Sequence, residues 1–255
     1  MLEVRDLRVP LRLNGVEFRI SEGERVGVLG ESGCGKTSMA MALLGMLPAA
    51  GSVRFRGREL LGMREREWRA VRGAQIALIS QEPALALNPV MRVQTQIAEV
   101  ARAHGRGRGQ ALSMLERLCP EETGRIARSY PHQLSGGQRQ RAAIAQALAA
   151  GPALIVADEP TSALDAVLAA EVAALFRSLD AALLWITHDP RLLAGFADRV
   201  IVMYAGRVVE DGPALAEPRH PYTRALLACA PRPEYRGRRL PVIPDAETLV
   251  RGQNG

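Results

Sequence analysis

The sequence predicts an α/β fold with a mainly parallel sheet, and three observations lead to this prediction. Along the 255 residues, apolar runs of strand length alternate with stretches of helical spacing. Two of these runs, 153–157 and 182–186, are apolar without interruption, as strands buried on both faces are. A glycine-rich turn at 30–35 joins an apolar run to a helical pattern. The length fits one large domain, or a core with one inserted subdomain.

The first half of the chain predicts short strands followed by helices. Helical spacing begins after the glycine-rich turn, continues through 39–47 and ends at Pro48. From Pro83 onward long helical stretches predict an inserted helical subdomain. The strands predicted in this half are 2–4, 7–9, 16–20, 25–29, 52–57 and 75–80.

The second half returns to alternating strands and helices. A helix at 166–179 separates the two apolar strands, and two further runs predict a hairpin that turns at Ala205 and Gly206. Pro221 begins a last helix, 222–230, and the composition beyond it predicts a loosely ordered tail. The predicted domain boundaries are 1–81 with 151–212 for the core and its β subdomain, 82–150 for the helical subdomain, and 213–255 for the last helix and the tail.

The composition narrows the class of protein. Hydrophobic residues make up 47% of the chain and charged residues 24%, as in globular proteins, and no run approaches eighteen apolar residues. We therefore expect no membrane-spanning helix, no secretory signal and a cytosolic location. Three widely spaced cysteines indicate neither a disulfide framework nor a zinc site. A net charge of +6 permits contact with nucleic acid, but aromatic residues, at 4%, are too few for a base-stacking platform.

The residues 30–37, which we call the cradle, fit the pattern G-x-x-x-x-G-K-[ST] between a strand and a helix. Glycines let backbone N–H groups surround phosphate oxygens, and the helix N-terminus adds its dipole. Lys36, the only lysine of the chain, has a compact ammonium that fits between β- and γ-phosphates where a planar guanidinium does not, and we expect it to act in catalysis. A plain turn between strand and helix is the alternative. The predicted nucleotide contacts are Gly30, Glu31, Ser32, Gly33, Cys34, Gly35, Lys36, Thr37 and Ser38.

Polar residues that follow other strands extend this prediction. Asp158 and Glu159 come directly after a buried strand, at the end where ligands bind in open α/β sheets. Asp158 is predicted to hold Mg²⁺ through water, and Glu159 to polarise an attacking water, because metal and nucleophile occupy different places in phosphoryl transfer. An exposed acidic cap on the next helix is the alternative.

His188 and Gln81 also end strands. We expect His188 to face the γ-phosphate, although a lone histidine is more often structural. Gln81 offers an amide oxygen to Mg²⁺ or to water. The predicted catalytic residues are therefore Glu159, His188, Gln81 and Lys36, and the predicted metal ligands are Thr37, Gln81 and Asp158.

A second anion site is predicted at Leu-Ser-Gly-Gly-Gln, residues 134–138, which we call the signature loop. A serine and two glycines precede a strongly helical run there, so that its N-terminus can bind phosphate. The predicted contacts are Ser135, Gly136, Gly137 and Gln138. Two phosphate-binding loops in different subdomains indicate a head-to-tail dimer, in which each nucleotide lies between the cradle of one subunit and the signature loop of the other.

The ordered motifs resemble those of the nucleotide-binding subunits of ABC transporters over nearly the whole chain. The resemblance rests on the cradle as Walker A, the signature loop, the Walker B strand that ends at Asp158 and Glu159, the D-loop at 162–165, and His188. It implies a P-loop NTPase core of the RecA-like kind, with an N-terminal antiparallel β subdomain and an inserted ABC-type helical subdomain. It also implies that Gln81 is the Q-loop residue, that Glu159 is the catalytic base, that Ser135 and Gly137 contact the partner's γ-phosphate, and that Asp165 belongs to the nucleotide site.

Two segments, 81–90 and 220–227, resemble the oligopeptide, dipeptide and nickel importer branch of this family. The resemblance implies ATP with Mg²⁺, and a peripheral place at the cytoplasmic face of the inner membrane. It implies as partners two membrane-spanning permease subunits, a second ABC ATPase subunit, the same or paralogous, and indirectly an extracytoplasmic binding protein for peptides, nickel or metal chelates. No nucleic acid is expected. The alternatives are a soluble ABC ATPase that acts on nucleic acid or ribosomes, and a regulatory module without turnover.

The chain departs from the family in one place that matters for nucleotide binding. An aromatic residue usually precedes the first core strand and stacks on adenine, but here no aromatic residue precedes Phe18, which itself fits a strand. Val9, Pro10 or Leu11 offers only a weaker apolar contact. We therefore expect the site to rely on phosphate contacts more than on contacts to the base.

Overall fold

The structure is a computed structural model and describes residues 1–81, 86–107, 112–162, 164–213 and 215–229. The chain divides into two compact units: one comprises Met1–Ser21, Arg25–Leu61 and Ile186–Gly255, and the other comprises Glu22–Glu24 and Gly62–Trp185. Within the described ranges, no helix combines the length and the apolar character needed to cross a bilayer.

The strands of the described residues are β1 Leu2–Val9, β2 Leu13–Ile20, β3 Arg25–Leu29, β4 Ala50–Phe55, β5 Arg58–Glu59, β6 Ile76–Ile79, β7 Leu154–Asp158, β8 Ala182–Ile186, β9 Arg199–Tyr204 and β10 Arg207–Gly212. The helices are α1 Lys36–Leu43, α2 Glu65–Trp68, α3 Val93–Ala103, α4 Ser113–Leu118, α5 Thr123–Arg128, α6 Gly136–Leu148, α7 Ala166–Arg177, α8 Pro190–Leu193 and α9 Pro221–Ala228, with a 3₁₀ turn at Pro131–Gln133.

The first unit contains an antiparallel sheet in the order β2-β1-β4-β5 and a second ladder formed by β3, β9 and β10. In the second ladder β3 and β9 run parallel, from Val26 opposite Arg199 to Leu29 opposite Val202, and β10 returns antiparallel to β9. Alternate residues of β1 and β2 are buried, which is the pattern of a sheet with one covered face. The predicted hairpin over Ala205 and Gly206 is confirmed.

The second unit joins parallel strands to a group of helices. β6 and β7 pair in parallel from Ile76 opposite Leu154 onward, and β8 lies beside β7. Every residue of β7 and β8 is buried, as their uninterrupted apolar sequences predict. Helices α3 to α6 follow between β6 and β7, and α6 packs against α3 and α4. Trp185 at the end of β8 meets the ring of Phe176 edge-on at 5.5 Å.

Several predicted boundaries were wrong. The runs 2–4 and 7–9 form one strand, β1, because a register shift between Val4 and Leu7 absorbs the intervening residues, and Asp6 there has φ 46°. The helix predicted at 39–47 starts earlier, at Lys36, and ends at Leu43. Gly45 with φ 63° then turns the chain while its N–H bonds to Ala42 O.

Later helices also end earlier than predicted. The helix predicted at 166–179 stops at Arg177, where the Ser178 hydroxyl donates to Leu175 O. The last helix ends at Ala228 rather than at residue 230. The predicted loosely ordered tail, from residue 230 onward, lies outside the described residues. The proposed domain boundaries remain predictions.

Candidate functional site

The cradle connects β3 to α1 through a turn that requires glycine. Gly33 and Gly35 have φ of 82° and 105°, a region that other residues enter only with strain. A Cβ on Gly35 would lie 2.8 Å from Arg12 O and equally close to the Leu13 side chain. Gly35 is the N-cap of α1, and its carbonyl accepts the first helical bond from Met39 N–H at 2.8 Å. The helix N-terminus therefore opens directly into the cradle, where its dipole favours an anion.

Lys36 occupies the centre of the cradle. Its side chain is only 7% exposed, and its Nζ donates to Gly30 O and Glu31 O, each at 2.8 Å. Cys34 Sγ lies 3.7 Å from the same ammonium. Burial raises the pKa of Cys34 in spite of the nearby Lys36, so the thiol stays neutral and adds no counter-charge. Lys36 is therefore the cation that the cradle offers to an incoming anion.

The walls around the cradle come from β2, the turn before it and the β9–β10 turn. Gly206 N–H donates to Cys34 O at 3.0 Å, and Arg12 Nη1 donates to the buried Ser38 hydroxyl at 3.3 Å. Beside Arg12, the side chain of Leu11 is fully exposed with φ 61°. It borders an open recess of about 400 Å³ without an aromatic side chain, lined by Arg8, Val9, Pro10, Leu11, Leu13, Asn14, Pro48, Ala49 and Ala50.

Two further predicted residues lie in the first unit. Thr37 stands exposed in the first turn of α1. His188 follows Thr187, whose N–H donates to Val28 O at 3.0 Å, so its backbone is tied to the strand that leads into the cradle. The His188 side chain is exposed. The next residue, Asp189, caps α8 and pairs with Arg191 at 2.6 Å.

In the second unit, the structure brings Gln81 to Glu159. Asp158 ends β7 with 5% exposure, and Glu159 follows with φ 48°. Gln81 Nε2 donates to Glu159 Oε2 at 3.2 Å. A glutamate in the left-handed region is strained, and such strain persists where the surrounding structure enforces it, as it often does at functional sites. Two of the predicted catalytic residues thus share one hydrogen bond.

The signature loop is held by a reciprocal cap at the start of α6. Ser135 Oγ accepts from Gln138 N–H at 3.2 Å, and Gln138 Oε1 accepts from Ser135 N–H at 3.1 Å. Gln138 Nε2 donates to both oxygens of Glu122, at 3.1 and 3.2 Å. Hydrogen bonds from Arg125 and Gln138 lower the pKa of Glu122, which keeps its carboxylate ionised as an acceptor.

Three residues therefore have roles that the sequence did not predict. Glu122 braces Gln138, and Gln140, buried in α6, donates to Pro160 O at 2.6 Å and so joins α6 to the loop after β7. Asp165 accepts from the N–H groups of Val167 and Leu168, each at 3.0 Å, and caps α7. An Asp before a helix is a recognisable capping signal, whereas no local pattern connects residue 122 to residue 138.

Comparisons with known proteins indicate the family to which the chain belongs. A model of the ABC transporter family matches residues 13–162. A probable peptide ABC transporter ATP-binding protein of Sinorhizobium fredii is 44% identical, over 98% of this chain and 83% of that protein. The oligopeptide transport ATP-binding protein OppD of Salmonella typhimurium is 41% identical, over 96% of this chain and 80% of that protein. The dipeptide transport ATP-binding protein DppD of Bacillus subtilis is 39% identical, over 91% of this chain and 74% of that protein.

Solved structures confirm the predicted fold class. The dimeric structure of MJ0796, described as a bacterial ABC transporter cassette, superimposes with a TM-score of 0.75 at 28% identity, over 86% of this chain and 99% of that one. A dimeric post-hydrolysis state of the same cassette, bound to ADP and Pi, gives a TM-score of 0.73 with the same identity and coverage. The chain belongs to the ABC transporter family, as an ABC-type ATPase of the branch that contains the oligopeptide and dipeptide transport ATP-binding proteins.

Proposed function

We propose that this ATPase energises the import of peptides through separate membrane subunits. The observation that carries the ATP site is the buried Lys36 ammonium inside a glycine cradle at a helix N-terminus. The cargo proposal rests on relatives about 40% identical over nearly the whole chain, whose names refer to peptide, oligopeptide and dipeptide transport. Nickel or a metal chelate, which the sequence left open, is the competing cargo.

We propose that the cradle residues, from Gly30 to Ser38, hold the phosphates of ATP. A phosphate oxygen offers Lys36 a charged acceptor in place of the neutral carbonyls of Gly30 and Glu31, and bonds to charged acceptors are the stronger ones. The Lys36 ammonium would lie next to the β- and γ-phosphates, where it stabilises charge that develops in the transition state.

Thr37, Gln81 and Asp158 are our proposed ligands for Mg²⁺. All three offer oxygen, the donor that Mg²⁺ prefers. Gln81 Nε2 donates to Glu159, so Oε1 is the atom of that amide suited to a cation. Bound Mg²⁺ would neutralise charge on the phosphate oxygens.

We propose that Glu159 is the general base for the attacking water. Gln81 fixes the orientation of its carboxylate through the 3.2 Å bond, and His188 is proposed to face the γ-phosphate. The water gives its proton to the Glu159 carboxylate as its oxygen attacks phosphorus. The bond between the γ-phosphorus and the bridging oxygen breaks, which leaves ADP and phosphate.

A second cassette is proposed to complete each site. Ser135, Gly136 and Gly137 lie at the N-terminus of α6 and would contact the partner's γ-phosphate, in the manner of the head-to-tail dimer that the two loops predict. Gln138 and Asp165 are also proposed at this interface, although both side chains already cap helices, so their main contribution would be to shape the loops. Both cassettes would sit on the cytoplasmic face of the membrane, below two permease subunits, with an extracytoplasmic protein delivering the cargo.

The function is tested by assembling the complex. The chain is co-expressed with its permease subunits, reconstituted in vesicles, and assayed for ATPase activity with peptide-loaded or nickel-loaded binding protein. We expect the peptide-loaded protein to stimulate turnover and the nickel-loaded one to leave it at the basal level. Stimulation by the nickel-loaded binding protein alone would make nickel, and not peptide, the cargo. Stimulation by RNA without membrane association would overturn the transport function.

The hydrogen bonds between Glu122 and Gln138 of the signature loop give the first prediction. Glu122→Ala removes the acceptor of Gln138 Nε2, so the cap of α6 loses its support. We expect the ATPase rate at limiting protein concentration to fall about threefold to tenfold, since bonds to a charged acceptor are lost, while the ATP affinity of the cradle stays unchanged. Activity measured against protein concentration, together with nucleotide titration, checks this.

Two variants serve as controls for the brace. Glu122→Gln keeps an acceptor oxygen for Gln138 and should retain most of the activity, and Glu121→Ala removes an exposed neighbouring charge. If Glu122→Ala matches Glu121→Ala in rate at every protein concentration, Glu122 does not support the signature loop.

The recess beside the cradle gives a second prediction. Leu11 is fully exposed, so Leu11→Tyr disturbs no packing and places an aromatic ring where the sequence lacks one. We expect ATP to bind about tenfold more tightly, and GTP to gain similarly, because every base has a face that can stack. Equilibrium titration with both nucleotides measures this. Met46→Tyr, an exposed substitution outside the recess, should leave both affinities as they are, and an unchanged Kd for Leu11→Tyr would place the base elsewhere.

A further inference from the structure

We propose that Tyr222, in the last helix, is a positioning residue that fixes the second residue of the cradle, Glu31. Its hydroxyl accepts a hydrogen bond from Glu31 N–H and donates one to Glu31 Oε2, each at 3.3 Å. Tyr222 and Glu31 are 191 residues apart in the chain. This proposal rests on the proposed role of the cradle as the ATP site.

The Tyr222 side chain is suited to this role because it is completely buried and stays protonated. Its exposed fraction is 0%, and its ring lies 4.7 Å from that of Tyr204, at the end of β9. Burial raises the pKa of Tyr222 well above its ordinary value, so the hydroxyl keeps the proton that it donates to Glu31. A packed ring delivers a hydroxyl to one place, since few rotamers remain open to it.

The residues before Tyr222 explain how the ring is held. His220 is the N-cap of α9, and its Nδ1 accepts from Tyr222 N–H at 3.1 Å, while Pro221 takes the first helical position. Burial lowers the pKa of His220, which keeps the imidazole neutral and Nδ1 able to accept. The stretch that resembles one branch of the family thus has a structural purpose in this chain: it starts α9 with Tyr222 facing the cradle.

The cap itself is anchored to the sheet. Glu210 of β10 accepts from the N–H groups of Arg219 and His220, at 2.8 and 3.1 Å. Burial opposes the charge on Glu210, but the Thr223 hydroxyl together with these two N–H groups outweighs it and lowers the pKa of Glu210, so it remains a charged acceptor. A continuous series of contacts therefore runs from β10 through the cap and Tyr222 to Glu31.

Glu31 is held by Lys36 as well as by Tyr222, and the two contacts respond differently to ATP. Its carbonyl accepts from Lys36 Nζ, and a phosphate oxygen competes with that carbonyl for the same ammonium. The contact of Tyr222 with the N–H and the carboxylate of Glu31 does not involve Lys36, so it persists when the ammonium turns to phosphate. Tyr222 keeps the cradle in its binding shape and lowers the cost of ordering it around ATP.

The test is Tyr222→Phe, which removes the hydroxyl and keeps the ring. ATP affinity is measured by titration with a fluorescent ATP analogue, and KM and kcat are measured in the assembled transporter. We expect Kd and KM to rise about threefold to tenfold while kcat stays within about twofold, because the loss concerns the preformed cradle and not the chemical step. In the Glu31→Ala background the same substitution should have a smaller effect, since one of its two partners is gone.

Control variants separate the possible outcomes. Tyr204→Phe changes the neighbouring ring in the same way but leaves the Glu31 contact intact, so its Kd should equal that of the unaltered chain. A fall in kcat with unchanged Kd would assign Tyr222 to general stability and overturn the proposal. An unchanged Kd for Tyr222→Phe, with binding lost in Lys36→Ala, would overturn it while leaving the ATP site in place. Binding that survives Lys36→Ala would refute the ATP site, and this proposal with it.

Discussion

Glu159→Gln is expected to reduce ATP turnover about a hundredfold or more while ATP still binds. The amide has nearly the shape of the carboxylate, so the backbone at φ 48° and the hydrogen bond to Gln81 can both be kept by rotation of the amide. What is lost is the capacity to take a proton from the attacking water. ATP should therefore be trapped in assembled dimers, and single-turnover measurements with radiolabelled ATP would show slow chemistry after normal binding.

A matched substitution in the same unit controls for the loss of charge. Glu171→Gln changes an exposed glutamate of α7 in the same way and should leave turnover at the level of the unaltered chain. Full turnover in Glu159→Gln would remove this residue from the role of base. His188, which is also proposed to face the γ-phosphate, would then be the next candidate for the base.

Lys36→Ala is expected to weaken ATP binding about a hundredfold, because two hydrogen bonds from a cation to phosphate oxygens are lost. Lys36→Arg should rescue little of this loss. The side chain is 7% exposed, and its ammonium fits between carbonyls at 2.8 Å, whereas a guanidinium is wider, planar and fixed in the direction of its donors. Isothermal titration with ATP compares the three proteins.

Arg19→Lys provides the control for this exchange of cations. Arg19 pairs with Glu3 on the surface of the same unit, so the exchange should not alter ATP affinity. If Lys36→Arg binds ATP as the unaltered chain does, the cradle has room for a guanidinium, and the presence of lysine there needs another explanation.

The sequence predicted those parts of the site that depend on local spacing. The cradle is a short loop whose glycines and lysine are adjacent in the chain, and Asp158 and Glu159 follow a strand that its apolar run identifies. The fold class followed from the same signals. The exact ends of α1 and α7 could not be predicted from local spacing, because they depend on the turn at Gly45 and on the hydrogen bond of the Ser178 hydroxyl.

The residues that the sequence did not predict act across long separations. Glu122 meets Gln138 from 16 residues away, and Tyr222 meets Glu31 from 191 residues away. Neither pair has a periodicity or a motif that signals contact, since packing of separate helices and strands brings them together. The register shift in β1 was missed for a related reason: pairing with β2 and β4 made one strand of two apolar runs that the sequence separates.

Because Lys36 is buried, proteolysis at this residue can measure the opening of the cradle. A protease that cuts only after lysine has a single target in these 255 residues, and cleavage there yields the fragments 1–36 and 37–255. Because the target begins α1 and is 7% exposed, the enzyme can cut only when the cradle and the first turn of the helix open. At a protease concentration where cleavage is slow, the rate at which one band becomes two therefore reports the fraction of molecules in which the cradle is open, without a label, and ATP that holds the cradle closed slows that rate.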